Sequence, residues 1–203
     1  MNLFEFDQNL NILPYHGEAY YFGSVLQYQQ ADAYLSGLLS TIAWKNDEVI
    51  IYGKHIVTAR KAAWYGDKPY SYSYSNTTKQ ALAWTPELLE LKALVEKQSL
   101  SSFNSCLLNL YHSGAEGMAW HSDDEAALGR HPVIASLSLG AERKFSFKHK
   151  SSKQNVSLVL DHGSLLLMKG ATQSHWQHSL PKTVKVAEPR INLTFRTISE
   201  SGI

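Results

Sequence analysis

His121-Ser122-Asp123 sets an imidazole and a carboxylate two residues apart, a spacing from which both can converge on one ion from a strand end or turn. One further imidazole would complete a face of two histidines and one carboxylate. Three positions on the ion would then stay open for a cosubstrate and dioxygen, the arrangement of non-haem Fe(II) oxygenases. The chain has nine histidines, and the third donor lies among His131, His149, His162, His175 and His178. His178 stands just ahead of a strand-like run with an arginine at each end, Arg190–Arg196.

Side chains alternate with a period of two in a strand, so each such run separates two faces. In Arg190–Arg196 the residues Ile191, Leu193 and Phe195 point to a core, while Arg190, Asn192, Thr194 and Arg196 share the other face. In Leu108–Tyr111 the leucines take one face, and Asn109 and Tyr111 the other. Fork-shaped cations flanked by hydrogen-bonding groups suit carboxylates. The two arginines stand about 20 Å apart along an extended strand, so they cannot hold one carboxylate side by side. An ordinary half-solvated sheet shows the same alternation. Tyr70-Ser71-Tyr72-Ser73-Tyr74-Ser75 puts three phenols opposite three serines. Such a ladder reinforces a sheet or offers flat faces on which bases stack.

These groups need elements to position them. Ser24–Leu39 reads as a helix, with Leu26, Leu35, Leu38 and Leu39 in a partial apolar stripe. A second helix opens at Pro86 behind Thr85 as N-cap, and Leu88, Leu89, Leu91, Leu94 and Val95 supply its apolar face. After residue 100 the pattern changes to strands at 105–111, 133–139, 144–148, 156–160, 164–168 and 191–198. Asp161-His162-Gly163 reads as a hairpin turn between the fourth and fifth of these. Short strands following two helices predict an α+β fold, a sandwich or barrel packed on helices. Its scaffold is expected in the later half and a cover in the first third.

The 203 residues suit one domain, and 44% hydrophobic against 18% charged content allows a real core. The net charge of +1 conceals an asymmetry. Residues 1–50 carry six acids against Lys45, a balance of −5, so the remainder carries +6. Taken alone, the net charge argues against a protein that grips a polyanion, and any polyanion-facing surface is expected in the later part. Cys106 is the single cysteine, which excludes an intrachain disulfide and a Cys-rich zinc site. The acidic N-terminus lacks the basic start of a secretory signal, and no apolar run reaches the ~18 residues of a membrane helix. The expectation is a soluble intracellular protein, in the cytoplasm of a bacterium or in a nucleic-acid compartment.

Taken in order, Asn-x-Tyr at 109 and 111, His-x-Asp at 121 and 123, His178 and Arg-x-Asn-x-Thr-Phe-Arg at 190–196 form a joint motif. It resembles the AlkB family of Fe(II)/2-oxoglutarate-dependent nucleic-acid dealkylases over roughly residues 49–198. The animal-type DNA-repair branch is the most similar, through Tyr52-Gly53-Lys54, Arg60-Lys61, Tyr65-Gly66-Asp67 and His121–Glu125. Residues 1–48 fall outside the resemblance, and Lys169-Gly170-Ala171 replaces the usual polar turn before the distal histidine.

The resemblance implies a single dioxygenase domain over 1–203. A double-stranded β-helix (jelly-roll) core would occupy 101–203, with helices and an N-terminal nucleotide-recognition lid in 1–100. It implies His121, Asp123 and His178 as iron ligands, with Arg196 beside them at the catalytic centre. His175 competes with His178, and His131, His149 and His162 are expected as surface or turn histidines. Asn109, Tyr111, Arg190, Asn192, Thr194 and Arg196 would line the 2-oxoglutarate pocket, Arg190 at the distal carboxylate and Arg196 nearer the metal. Tyr74 would stack on an extruded base, with Tyr72 and Glu125 nearby. Ile51-Tyr52-Gly53 would be the hairpin tip that fills or probes the gap. Arg60, Lys61, Lys68 and the basic stretch 141–154 would meet phosphates.

The implied activity uses Fe(II), 2-oxoglutarate and O2 to dealkylate N1-methyladenine, N3-methylcytosine and etheno adducts in single- or double-stranded DNA, releasing formaldehyde and succinate. A monomer without membrane contact is expected. The alternatives are the same dealkylation on RNA, or a lesion-binding protein without turnover. The intact iron and cosubstrate residues speak against the latter, since a binder needs neither.

Overall fold

A strand with one apolar and one polar face must cover the first and put the second to use, and the sheet order shows how. The structure is a computed structural model. It describes residues 10–51, 54–74 and 77–199, without the side chains of 47–51, 54–56, 72–74 and 77–79. The first part of the chain contributes β1 (Glu18–Ser24), α1 (Tyr28–Thr41), β2 (Lys45–Ile51), β3 (Lys54–Gly66), β4 (Ser71–Tyr74), β5 (Thr77–Gln80), β6 (Leu82–Ala83) and α2 (Pro86–Ser99). The later part contributes β7 (Ser105–Tyr111), β8 (Met118–His121), β9 (Ile134–Gly140) and β10 (Arg143–His149). It closes with β11 (Asn155–Leu160), β12 (Ser164–Lys169), α3 (Thr172–His175), β13 (Trp176–Leu180) and β14 (Arg190–Arg196). The major sheet runs β1-β12-β9-β14-β7-β3-β2, with β6 beside β3, and the minor sheet runs β11-β10-β13-β8. The hairpin β4–β5 stands outside both.

The outer face of the major sheet packs on the helices. Leu38 of α1 and Leu88, Leu91 and Val95 of α2 join Leu108, Leu110, Leu137, Leu139, Ile191, Leu193 and Phe195 in one buried cluster. Thr85 caps α2 as expected, its hydroxyl accepting from Leu88 N–H at 3.3 Å. Leu89 was expected on the apolar face but is exposed. A second cluster fills the space between the sheets, where Tyr21, Ile134, Leu166 and Met168 meet Phe147, Leu160 and Trp176. The inward face of the major sheet is thus apolar along β1 and β12 and turns polar along β9, β14 and β7. That polar strip holds the candidate site.

Three expectations change. The first helix starts at Tyr28, because Glu18–Ser24 is a strand whose alternate residues are buried. Next, β11 and β12 form no hairpin: β11 pairs with β10 in the minor sheet and β12 with β1 and β9 in the major one. The turn between them crosses from sheet to sheet. Gly163, with φ +75, donates to Ser138 O, and His162 Nδ1 accepts from Gly140 N–H. Finally, β1, β2, β3 and β6 belong to the major sheet, so the first hundred residues build scaffold as well as cover. Among the described residues, no helix is long and apolar enough to cross a membrane.

Candidate active site

Antiparallel pairing of β8 with β13 sets His121 directly opposite His178, with ring centroids 4.2 Å apart. Asp123 follows the end of β8, where its backbone N–H donates to Gln173 Oε1 at 3.0 Å. Its two carboxylate oxygens each lie 3.9 Å from a histidine Nε2, Oδ1 from His121 and Oδ2 from His178. Arg196 Nη2 donates to Oδ1 at 2.9 Å.

The protonation states follow from the surroundings. His121 Nδ1 lies 2.9 Å from the Ala119 carbonyl. A carbonyl only accepts, so Nδ1 carries a proton and Nε2 is the nitrogen left to face the cluster. His178 is buried, stacked on Phe145, and burial pushes its pKa down to about 3 although Asp123 opposes this. Burial works against ionisation of Asp123, but Arg196, then His178 and His121, outweigh it and hold the carboxyl below its ordinary range. The cluster therefore offers the neutral His178 imidazole, the ionised Asp123 carboxylate and the His121 imidazole, with donor atoms all within 4.8 Å. This donor set fits a ferrous ion.

The neighbouring pocket is built by strand register. β14 lies between β7 and β9, with Arg190 opposite Tyr111, Asn192 opposite Asn109 and Ser138, and Thr194 opposite Ser136. Arg190 Nη2 donates to Ser138 Oγ at 2.9 Å and Asn192 Oδ1 at 2.8 Å. Ser136 donates to the same Asn192 oxygen, while Asn192 Nδ2 donates to Thr194. The Arg190 guanidinium stands 5.6 Å from the Tyr111 ring centroid, and those of Arg60 and Arg143 stand 5.9 Å from it. Arg190 is only 2% exposed, and burial lowers its pKa to about 10, so it stays charged. Its Nε has no hydrogen-bond partner, and no carboxylate pairs with it among the described residues. A buried cation left this way is costly until an anion arrives, and the distal carboxylate of 2-oxoglutarate fits it. Arg196 stands at Asp123, so the two arginines mark opposite ends of the strip, as strand length demands.

The other candidates fall as follows. Glu125 is exposed at the head of a 3-10 turn, Ala126–Leu128, two residues past Asp123. Arg60 is 8% exposed, its Nη1 3.1 Å from Met118 Sδ, so it lies against the pocket wall with little surface to offer a phosphate. The Tyr72, Tyr74 and Ile51 side chains and the residues Tyr52 and Gly53 lie outside the described residues; Ile51 ends β2, paired with Lys54 at the start of β3. In the basic stretch, Arg143 is buried and clamps the carbonyls of Ser113, Glu116 and Pro181. It is a structural cation, not a phosphate contact. His149, expected on the surface, is buried beside Trp176. His175 lies with His149, not with the iron donors. Sequence reasoning missed Ser136 and Ser138, although their alternation in β9 follows the rule that singled out β14. It also missed Gln173, whose hold on Asp123 exists only in the folded chain.

A model of the 2OG-Fe(II) oxygenase superfamily matches residues 18–196. Alpha-ketoglutarate-dependent dioxygenase alkB homolog 3 of Bos taurus is 44% identical over 179 residues, covering 84% of this chain and 62% of the relative. The chain thus spans under two thirds of that relative's length. DNA oxidative demethylase ALKBH2 of Mus musculus is 38% identical over 178 residues, covering 84% of this chain and 72% of the relative. A solved structure of OsALKBH1 superimposes with a TM-score of 0.60 at 16% identity, covering 88% of this chain and 97% of that one, a likeness of fold. With a jelly-roll of two facing antiparallel sheets, a His-Asp-His donor set between them and these relatives, the chain belongs to the 2-oxoglutarate- and Fe(II)-dependent oxygenases and, among them, to the AlkB family.

Proposed function

We propose that this protein is a dioxygenase that oxidatively dealkylates N-alkylated bases in DNA, with N1-methyladenine, N3-methylcytosine and etheno adducts as substrates. The observation that carries the reading is the convergence of His121, Asp123 and His178 beside a buried Arg190 that no carboxylate pairs with among the described residues. The names of the AlkB homolog 3 and ALKBH2 relatives support it.

His121, Asp123 and His178 would hold Fe(II), which would supply dioxygen activation coupled to the oxidative decarboxylation of 2-oxoglutarate. The chain's own residues do the rest. Arg190, set by Ser138 and Asn192, holds the distal carboxylate, while Asn109, Tyr111 and Thr194 line the body of the pocket. Arg196 keeps Asp123 ionised and oriented. Phe145 and Phe147 exclude water behind His178. A hydroxylated N-methyl group is a hemiaminal, which releases formaldehyde and leaves the unmodified base.

On the substrate side, the hairpin β4–β5 carries Tyr72 and Tyr74 as a lid, with Tyr74 stacking on the extruded base and Glu125 at the rim. Ile51-Tyr52-Gly53 probes the gap left behind. A base that cannot pair flips out at lower cost, which favours lesions over normal bases. The enzyme acts as a monomer on nucleic acid inside the cell.

The test supplies methylated single- and double-stranded DNA and RNA with Fe(II), 2-oxoglutarate and ascorbate, and measures formaldehyde and restored base. Turnover on DNA is expected. Turnover on RNA alone would move the substrate assignment to RNA. Succinate formation without repair of any nucleic acid would refute the reading.

A further inference from the structure

A second group of histidines lies outside the active site. His16, in the loop ahead of β1, His149, at the end of β10, and His175, at the end of α3, each bring one ring nitrogen within 4.8 Å of the others. His16 Nδ1 and His149 Nε2 are 3.4 Å apart. That is long for a hydrogen bond. It matches two nitrogens of a tetrahedral zinc site, which stand about 3.4 Å apart when each is ~2.0–2.1 Å from the ion. A ligating imidazole has its centre about 3.2 Å from the metal, so three such rings place their centroids about 5.2 Å apart. The observed separations are 5.1, 5.5 and 6.2 Å.

We propose that His16, His149 and His175 form a second metal site, which takes one borderline divalent transition ion of the Zn²⁺ class and leaves a fourth position to water. Imidazole donors suit such ions. The site is held in place before any ion arrives. Trp176 Nε1 donates to Tyr15 O, and the Tyr15 hydroxyl bonds Ser152 and Gln154. Thr172 Oγ1 accepts from Glu18 N–H and donates to Glu18 O. Next to His16, a Cβ on Gly17 would come within 3.0–3.1 Å of Leu13, Thr172 and Trp176, so the loop fits α3 and β13 closely. His16 itself takes a left-handed conformation, φ +51, uncommon for a residue with a side chain and here aiming its ring at the other two.

Ligation asks the buried member to move one proton. His149 Nδ1 has the Ser151 and Ser152 hydroxyls at 3.2 and 3.1 Å, either of which can take its proton and leave the Nε2 lone pair for metal. The Ser152 N–H at 3.1 Å favours the opposite tautomer in the metal-free chain, so ligation shifts that proton. The two adjacent ammonium groups are engaged elsewhere, Lys150 with Gln173 O and Asp124, Lys153 with Lys150 O. An ion here ties the N-terminal loop and β10 to α3, the helix whose Gln173 holds Asp123.

The experiment strips the full chain of metal by chelation, loads it with Zn²⁺, dialyses it and counts zinc per chain by mass spectrometry. Two ions are expected for the wild type and one for His16→Asn or His175→Gln, both exposed positions. The His121→Ala/His178→Ala protein should keep one ion, show a rise in melting temperature with Zn²⁺, and lose both on adding His16→Asn. A His16→Asn, His175→Gln double variant that binds as much zinc as the wild type would overturn the proposal. So would a His121→Ala/His178→Ala protein that retains none. Neither result depends on dealkylation.

Discussion

Arg190→Met tests the cosubstrate pocket most directly. The native guanidinium is 2% exposed and bonded to Ser138 and Asn192, with no carboxylate of the chain against it among the described residues. Methionine keeps much of the volume and removes the charge. Bound 2-oxoglutarate would then bury a carboxylate without its cation, a loss of about 3–5 kcal/mol. At about 1.4 kcal/mol per decade, the KM for 2-oxoglutarate should rise by roughly 10²- to 4 × 10³-fold. Arg190→Lys keeps charge but not the fork, and should sit between the two. The folded state should change far less. Relief of an unpaired buried charge offsets the hydrogen bonds lost by Ser138 and Asn192, so the cosubstrate-free variant should melt within a few degrees of wild type. Succinate formation against 2-oxoglutarate concentration gives KM, and titration calorimetry gives the affinity without turnover. A folded Arg190→Met enzyme whose KM stays within twofold of wild type refutes the pocket assignment. If Arg196→Met raises KM and Arg190→Met does not, the division of labour between the arginines is reversed.

Other outcomes follow from the same geometry. His178→Ala should lose Fe(II) on dialysis while His175→Gln keeps both active-site iron and turnover, as metal analysis and formaldehyde release would show. Tyr74→Ala should lower turnover of methylated DNA at subsaturating substrate by roughly five- to 150-fold, from ~1–3 kcal/mol of lost stacking, and an unchanged rate removes Tyr74 from the substrate site. Burial raises the Tyr21 phenol to about 12, with its hydroxyl bonded to Asp161. The unfolded chain ionises this group near ~10. Stability from Tyr21 is thus full below that pH and lost as pH rises toward 12, and Tyr21→Phe should flatten this alkaline slope in melting curves. Binding to alkylated DNA should weaken steeply with salt, and a salt-independent affinity contradicts phosphate contact by the later part of the chain.

Much of this site was legible in single residues and short periods. The alternation in Arg190–Arg196 separated the core residues from the pocket residues, and Arg190 and Thr194 are indeed buried on the face opposite Ile191 and Phe195. Thr85 and Pro86 marked the start of α2 because capping is decided within one turn. His-x-Asp announced a metal, and the strand length kept the two arginines at separate ends. These features depend on near neighbours along the chain, where backbone geometry leaves few choices.

Spacing did not decide among five histidines. That choice rests on resemblance in the sequence and on register in the fold, where β8 and β13 pair so that His178 meets His121. Nor does alternation tell to which sheet a strand belongs, so β11, Asp161-His162-Gly163 and β12 read as a hairpin although the chain there crosses between sheets. Arg143 and His149 looked like surface residues of a basic stretch, and only packing against distant carbonyls and Trp176 buries them. His16, His149 and His175 come together from positions more than a hundred residues apart at the extremes. The sequence by itself determined the His-x-Asp pair and the faces that the strand residues share, because both are local. The tertiary structure decided which donors meet and which cations are buried, because strand pairing and burial are set by contacts across the whole chain.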